Sequence, residues 1–450
     1  MSFRRAGVAS AVVVLLLAAS LVVGVLVLLY RPLPTIDGDM RLLGLDQRVE
    51  VIRDAWGVPH TFARTTHDLF YVQGYVVAQD RLFQLELLRR AGRGELASAI
   101  GPAGTASDAY VAARGLVAAA EADQARLGAA ARTAAAAYAD GINKFLEQHR
   151  ASLPLEFIVL GIRPASWSVG DTLVVQRLLA LDRSAGSPFG AILAGGGAGN
   201  GTDAGASCRA TSGARSGSGR PVLEGDPRLA GLADPALWYA VALTGPDDDV
   251  VGLAAPGVPG IAIGHNRRTA WSFVARTDAS LLPDLDASLA IARSVDTASF
   301  AAAVAGARSA TPGYCYADAA GHIGVAADAA AAFDPPGGET GQVRPPAPTG
   351  SVTAITFRHP LAALLPAGIG RLLSAGPYAS PAGGALERMR VDLDDPDAMR
   401  LGLPTGESGQ AAGRHHLDQI ASWRSGELPV VPLSRGRVGI GEATLVLRAR

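Results

Sequence analysis

A chain of 450 residues, 49% hydrophobic and only 18% charged, holds enough apolar material for a large core, and its formal net charge of -1 leaves no electrostatic case for a nucleic-acid partner. No basic stripe with interleaved aromatics offsets that balance. The two cysteines, Cys208 and Cys315, are too few for a disulfide framework or a zinc site, and spacing alone leaves open whether they pair.

Arg4 and Arg5 precede an unbroken apolar run from Ala6 to Tyr30. At about 1.5 Å per residue, such a helix spans a bilayer core of roughly 30 Å. The run reads as an uncleaved transmembrane anchor in preference to a cleaved signal peptide, whose apolar region covers about 7–15 residues and closes on a small-x-small site. Arginines on the short leading side keep the N-terminus in the cytoplasm and put the bulk of the chain outside.

After a Pro-containing linker at 31–37, residues 48–52 read as a strand stopped by the turn at 54–59. Helical spacing then begins at Asp68, a candidate N-cap, and runs through Leu69, Val72, Val76, Leu82, Leu85 and Leu88 to about Arg90. Residues 118–146 and 171–181 read as helices too. Between Ala194 and Gly219 the composition collapses to Gly, Ala and Ser, which predicts a linker or surface loop. Short strands are expected at 221–223, 237–243, 250–253 and 261–264, and a helix at 299–306. Asp247, Asp248 and Asp249 most simply solvate a turn. His415 and His416 are adjacent, so on an extended segment their side chains point apart and joint metal binding is not expected.

Several blocks stand in order along the chain. Val51-Ile52-Arg53-Asp54-Ala55-Trp56-Gly57-Val58-Pro59-His60 is followed by Asp68-Leu69-Phe70, Gly74-Tyr75, Ala78-Gln79-Asp80-Arg81-Leu82-Phe83-Gln84 and Glu95-Leu96. Tyr138 through Asn143, Leu153-Pro154-Leu155-Glu156-Phe157 and Trp167 continue the order. Later come Ser212-Gly213-Ala214-Arg215, Arg220 through Pro227, Gly264-His265-Asn266, Gly406-Glu407-Ser408-Gly409 and His415 through Trp423. Together these blocks resemble the penicillin acylase family across nearly the whole chain after residue 31, although two stretches that family members carry are missing, after Leu285 and around 335–359.

The resemblance implies an α+β fold of the N-terminal-nucleophile hydrolase type: an αββα sandwich with a mainly helical N-terminal half, here preceded by a transmembrane helix. It divides the chain into a cytoplasmic tip and anchor (1–31), an α-chain-like helical region (32–190), a Gly/Ala-rich spacer-like linker (191–206) and a β-chain-like region (207–450). It also implies a precursor that cuts itself in two. The residue at the cut attacks the preceding carbonyl, and its freed α-amine then serves as general base for the same side chain. A backbone N–H and an Asn side chain complete the oxyanion hole.

Counting back from Ser212-Gly213 puts Gly205 before the cut and Ala206, which has no nucleophilic atom, at the nucleophile position. Ser207 is the shifted-nucleophile candidate, in a chain cut after Ala206; the bland reading is an ordinary residue on a degenerate loop. A one-residue shift moves the reactive atom against a preorganised site. The oxyanion Asn position reads Gly376, the backbone N–H partner falls at Ala275, and the Trp expected after the nucleophile reads Arg209. Arg388 falls where the family carries an arginine near its active site, or is a surface charge. His60 is read as structural. Positions that would ligate calcium read Ala279 and Leu282, so no cofactor is expected and Asp278 and Asp284 read as solvated loop acids.

Two functions follow from this reading. One is an extracytoplasmic hydrolase of linear amides, such as acylated β-lactams or acyl-homoserine lactones, with an impaired centre. The other is an inactive, uncut scaffold at the cell membrane acting as a binding or structural module. The expected partners are the membrane, through the N-terminal helix, and a small-molecule amide if the centre turns over.

Overall fold

The apolar N-terminal run forms one helix, α1 (Ser2–Tyr30). Its valines and leucines from Val12 to Leu28 are exposed, and its Ala11–Tyr30 span is not buried against the rest of the chain. The computed structural model describes residues 2–181, 207–227, 235–274, 282–308, 313–327, 330–334, 342–343, 354–363, 374–379, 388–439 and 441–449.

The helical region contains α2 (Thr66–Arg93), the short α3 (Ala97–Ile100) and α4 (Thr105–Ala112), then α5 (Leu116–Arg126), α6 (Ala129–His149), α7 (Leu155–Leu160) and α8 (Val169–Leu181). The expected 118–146 helix is therefore two, broken at Leu127 and Gly128. The cap of α2 is Thr65, whose hydroxyl accepts the Asp68 N–H at 3.0 Å. Asp68 instead turns its carboxylate out of the helix to accept the N–H groups of Asp46 and Gln47 (2.8 and 2.9 Å). Helices α2 and α6 cross at two glycines. A Cβ on Gly141 would stand 1.8 Å from the Tyr71 carbonyl oxygen, and one on Gly74 would stand 2.1 Å from that of Tyr138. Only a residue without a Cβ lets the backbones approach this closely.

The strands are β1 (Gly38–Arg41), β2 (Val49–Arg53), β3 (Pro59–Phe62), β4 (Ser207–Thr211), β5 (Val222–Asp226), β6 (Tyr239–Thr244), β7 (Asp249–Ala254), β8 (Ile263–Asn266) and β9 (Thr269–Val274). After helices α9 (Leu285–Ala292) and α10 (Thr297–Ala305) come β10 (Gly313–Asp318), β11 (Ile323–Ala327), β12 (Ala330–Asp334), β13 (Gln342–Val343), β14 (Ala354–Arg358), β15 (Ser374–Ala379), β16 (Arg388–Asp392) and β17 (Met399–Gly402). A short helix α11 (Ile420–Ser425), β18 (Val430–Val431) and β19 (Ala443–Arg448) close the chain. The strands expected from sequence at 221–223, 237–243, 250–253 and 261–264 correspond to β5 through β8, displaced by one to three residues at their ends. The linker expected over 194–219 contains β4, because a Gly/Ser-rich segment can be held as a strand by a neighbour it could not hold by itself.

Eleven strands form the large sheet in the order β1-β19-β2-β3-β6-β7-β8-β9-β10-β11-β12, and six form a smaller one in the order β13-β4-β5-β16-β17-β18. In the large sheet β19 lies between β1 and β2, and β3 runs parallel to β6. The helical and strand-rich regions thus share one sheet.

Residues on β10 alternate between two buried environments. Tyr314 and Tyr316 meet Phe300 of α10 at ring separations of 5.8 and 4.7 Å, while Cys315 points the other way and is bonded to Cys208 on β4. Helices cover one face of the large sheet and the smaller sheet covers part of the other. The fold is α+β, as expected. Among the described residues, the far face of the smaller sheet carries partly exposed Arg209, Glu224 and Arg390 and exposed Arg400, and meets helix α11 through the bond from Arg388 to the Trp423 carbonyl.

Candidate active-site region around strand β4

Strand alternation decides which side chains can meet. On β4, Cys208 and Ala210 are buried, whereas Ser207, Arg209 and Thr211 are partly exposed. Cys208 faces the large sheet through its disulfide to Cys315, with the Cα atoms 6.1 Å apart. Ser207 therefore lies on the opposite face, together with Arg209. There Glu224 accepts from Arg390 at 2.7 Å and stands 3.7 Å from Arg209.

Ser207 is the register partner of Asp226 on β5. One rung past the Met389–Gly225 pair, Arg388 on β16 comes level with Asp226. The structure thus brings Ser207 and Arg388 onto one face, on either side of a buried carboxylate. Arg388 is half-buried: its Nη2 donates to the Trp423 carbonyl at 3.1 Å, and its Nε is buried with no hydrogen-bond partner. Desolvation lowers its pKa, and the charge of Asp226 opposes that shift.

This row offers a hydroxyl, a carboxylate and a cation. It does not include Gly376, which sits exposed on β15 with φ 128 and a cis bond to Pro377, in a strand that pairs with β14 alone. Glycine supplies no side-chain donor at the position where the resemblance led one to expect an Asn amide. Ala206, Ala275 and the 191–206 linker lie outside the described residues.

Of the positions read against a calcium site, only part is described. Asp278 and Ala279 fall outside the described residues, and Leu282 is an apolar side chain buried in the core. Asp284, read as a solvated loop acid, is instead the N-cap of α9. Its oxygens accept the N–H groups of Ala287 (3.2 Å) and Arg308 (2.6 Å). Asp248, read as solvating a turn, is likewise buried and held by Arg293 through two bonds of 2.9 and 2.8 Å.

The charged residues of the matched blocks gather elsewhere, wholly inside the protein. Arg53 lies 2.8 Å from Asp80, which also accepts the Tyr239 hydroxyl at 2.5 Å. Arg81 donates to the carbonyls of Glu407 (2.5 Å), Ala236 (2.7 Å) and Gly406 (3.0 Å). Glu407 accepts the Ala240 N–H at 3.1 Å, and its Oε1 is buried without a partner. Arg81 Nη2 stands 4.0 Å from Glu407, too far for a hydrogen bond and already engaged by carbonyls, so desolvation dominates and pushes the Glu407 carboxyl up to about 8.

His60 is buried with Nε2 3.3 Å from Asp54. His415 is flanked by Asp418 at 2.6 Å and Glu442 at 3.1 Å, while His416 turns to the Ser408 carbonyl at 3.1 Å. These groups tie α2 to β2, β6 and the loop at 405–416. Sequence reading missed this polar core; its signal was the adjacent pair Asp80 and Arg81 within a helical stretch whose apolar spacing runs on both sides of it.

The penicillin amidase family model matches residues 48–282 and 335–439. Penicillin acylase 2 proenzyme of Pseudomonas sp. (strain SE83) is 30% identical over 296 residues, covering 54% of this chain and 38% of that protein. Acyl-homoserine lactone acylase QuiP of Pseudomonas aeruginosa is 28% identical over 291 residues, covering 53% of this chain and 34% of that protein. The matched part is thus well under half the length of these relatives. A solved structure of the thermostable penicillin G acylase from Alcaligenes faecalis shares 36% identity over 30% of this chain and 72% of that chain, with a TM-score of 0.28. With a family match that spans most of the sequence and in which the blocks of the polar core all fall, the chain belongs to the penicillin amidase family.

Proposed function

We propose that this chain is an exported, membrane-anchored penicillin-amidase scaffold whose catalytic centre is impaired and which persists as one uncut chain. The substrate class it descends from is the linear amide, in keeping with the penicillin and acyl-homoserine lactone acylases it is similar to. The observation that carries the reading is the direction of Ser207. The hydroxyl nearest the old cut shares a face with Arg209 and Glu224, opposite to the face of Cys208 that meets the large sheet.

A slip of one residue along a strand turns every side chain to the other face, so Ser207 is not a simple substitute for a nucleophile at position 206. The glycine at position 376 supports the same reading, since loss of one oxyanion donor typically lowers the rate by about a hundred- to a thousandfold. Export is supported by the exposed apolar helix α1 and by a disulfide, which persists in oxidising compartments.

The second reading is a hydrolase that uses Ser207, and the Ser207–Asp226–Arg388 row favours it. Hydrolysis of an N-acyl chromogenic anilide separates the two. The expected result is that the wild-type chain and Ser207→Ala release chromophore at the same background rate. Turnover that disappears in Ser207→Ala would establish the second reading.

A further inference from the structure

The loop at 405–418 is fastened to α2 where that helix breaks at Arg81: the Gly409 N–H donates to the Asp80 carbonyl (2.8 Å) and the Gln410 amide to the Gln79 carbonyl (2.9 Å). At its other end His415 faces a carboxylate through each ring nitrogen, with Nδ1 2.6 Å from Asp418 and Nε2 3.1 Å from Glu442, the residue before β19. We propose that Asp418, His415 and Glu442 form a proton-operated clasp, which holds this loop against the start of β19 and releases it as pH rises.

A neutral imidazole carries one N–H, and an ionised carboxylate only accepts. Both contacts are therefore hydrogen bonds only while the three groups hold one proton beyond that neutral ring. When this proton leaves, a nitrogen lone pair faces a carboxylate oxygen across one of the two distances, and attraction gives way to repulsion. The ring has no room to turn aside. His415 is 8% exposed, and a Cβ on Gly57, whose φ is 80, would stand 2.5 Å from its Cγ. The imidazole thus presses on the bare backbone of the turn at 54–59, while its own carbonyl accepts the Ser408 N–H at 2.8 Å.

The charged groups on the surrounding elements are engaged elsewhere. Arg414 holds the second oxygen of Glu442. On the facing turn, Asp54 accepts the N–H groups of Trp56 and Val58 (2.9 and 3.0 Å) and meets His60. Arg53 donates to the Gly57 carbonyl at 2.9 Å and pairs with Asp80 on α2. Within the loop, Glu407 accepts the Ala240 N–H and His416 turns to the Ser408 carbonyl. Because the proton favours the closed loop, closure is complete on the acid side and is lost as pH rises. Opening is local: β19 keeps its ladders to β1 and β2, and the Glu442 N–H keeps the Arg53 carbonyl at 2.7 Å.

The test is hydrogen exchange of the full chain in detergent at about pH 6 and about pH 9, corrected for the intrinsic rate; both values lie above the ordinary range of Asp and Glu. Peptides covering 406–418 should exchange about tenfold faster at the higher pH, the effect of losing one charge-assisted hydrogen bond, while peptides of α2 and β19 keep their protection. Glu442→Gln should abolish the difference and keep the loop protected at both values, because an amide donates as well as accepts and so satisfies either state of the ring. Asp418→Asn, at the other ring nitrogen, should do the same and serves where the first variant folds poorly. Glu407→Gln removes the loop's other proton-exchanging group in this range and should leave the difference in place. Equal exchange at both values, acceleration spread over the whole chain, a difference that survives the amide variants, or one that vanishes in Glu407→Gln would overturn the proposal.

Discussion

Glu407 shows how one buried carboxyl couples the fold to pH. Its pKa in the fold is raised to about 8 by desolvation, above the roughly 4.3 of an exposed Glu, so the neutral form is the one the fold prefers. The stability this contributes is complete below the unfolded pKa and is lost progressively as pH rises through the folded one. Unfolding free energy should therefore decline between about pH 4.5 and 8, and Glu407→Gln should flatten that decline. Denaturant titrations at several pH values check it; an equally steep decline in the variant would assign the effect to another group.

Gly141 gives a steric counterpart. With the Tyr71 carbonyl 1.8 Å from any added Cβ, Gly141→Ala must push α2 and α6 apart, and a loss of about 3 kcal/mol is expected, at the upper end of ordinary overpacking. An unchanged midpoint in chemical unfolding would show that the crossing yields more easily than its geometry indicates. Neither role was legible in the sequence. The blocks around Gly74 and Gly141 could be matched to a family, but a pattern does not reveal which backbone lies against a glycine, nor that Glu407 faces away from water.

Strand β4 carries the main lesson at the scale of elements. Composition over 194–219 reads as a linker, yet 207–211 is a strand hydrogen-bonded to β5 and covalently tied to β10. Local propensity was overridden by pairing with β5 and by the disulfide to β10, a partner that no window of neighbouring residues contains. The cysteines posed the same difficulty. Two thiols 107 residues apart give no spacing signal, and only the stacking of the two sheets brings them together. Closing a loop of that length removes roughly 4–5 kcal/mol of entropy from the unfolded chain. The Cys208→Ala/Cys315→Ala variant should unfold at correspondingly lower denaturant, while reductant added to the folded wild type should act slowly because both sulfurs are buried. A variant as stable as the wild type would mean that β4 is held by its hydrogen bonds alone. Where periodicity was strong, as in α2, α8 and β5 through β8, sequence reading found the elements and erred mainly at their ends. At α2 the error had a definite cause: Asp68 serves a loop in space while Thr65 serves as the cap.

For the molecule as a whole, a family match covers most of the chain, and the proposal made above is that its catalytic centre is impaired. Ser207 points away from the large sheet, Gly376 has no side-chain amide, and the most tightly organised charges form a structural core. The two regions of the chain also share the large sheet, because β19 sits between β1 and β2 and β3 pairs with β6. A cut near residue 206 would thus leave a particle of unchanged size, and both cysteines would lie in the same fragment. Denatured intact mass is therefore the direct test of the uncut-scaffold account. The full chain, isolated from an exporting host, should give a single species containing both regions in one polypeptide. Two masses that sum to the whole plus one water, with a new N-terminus at Ser207, would contradict the account.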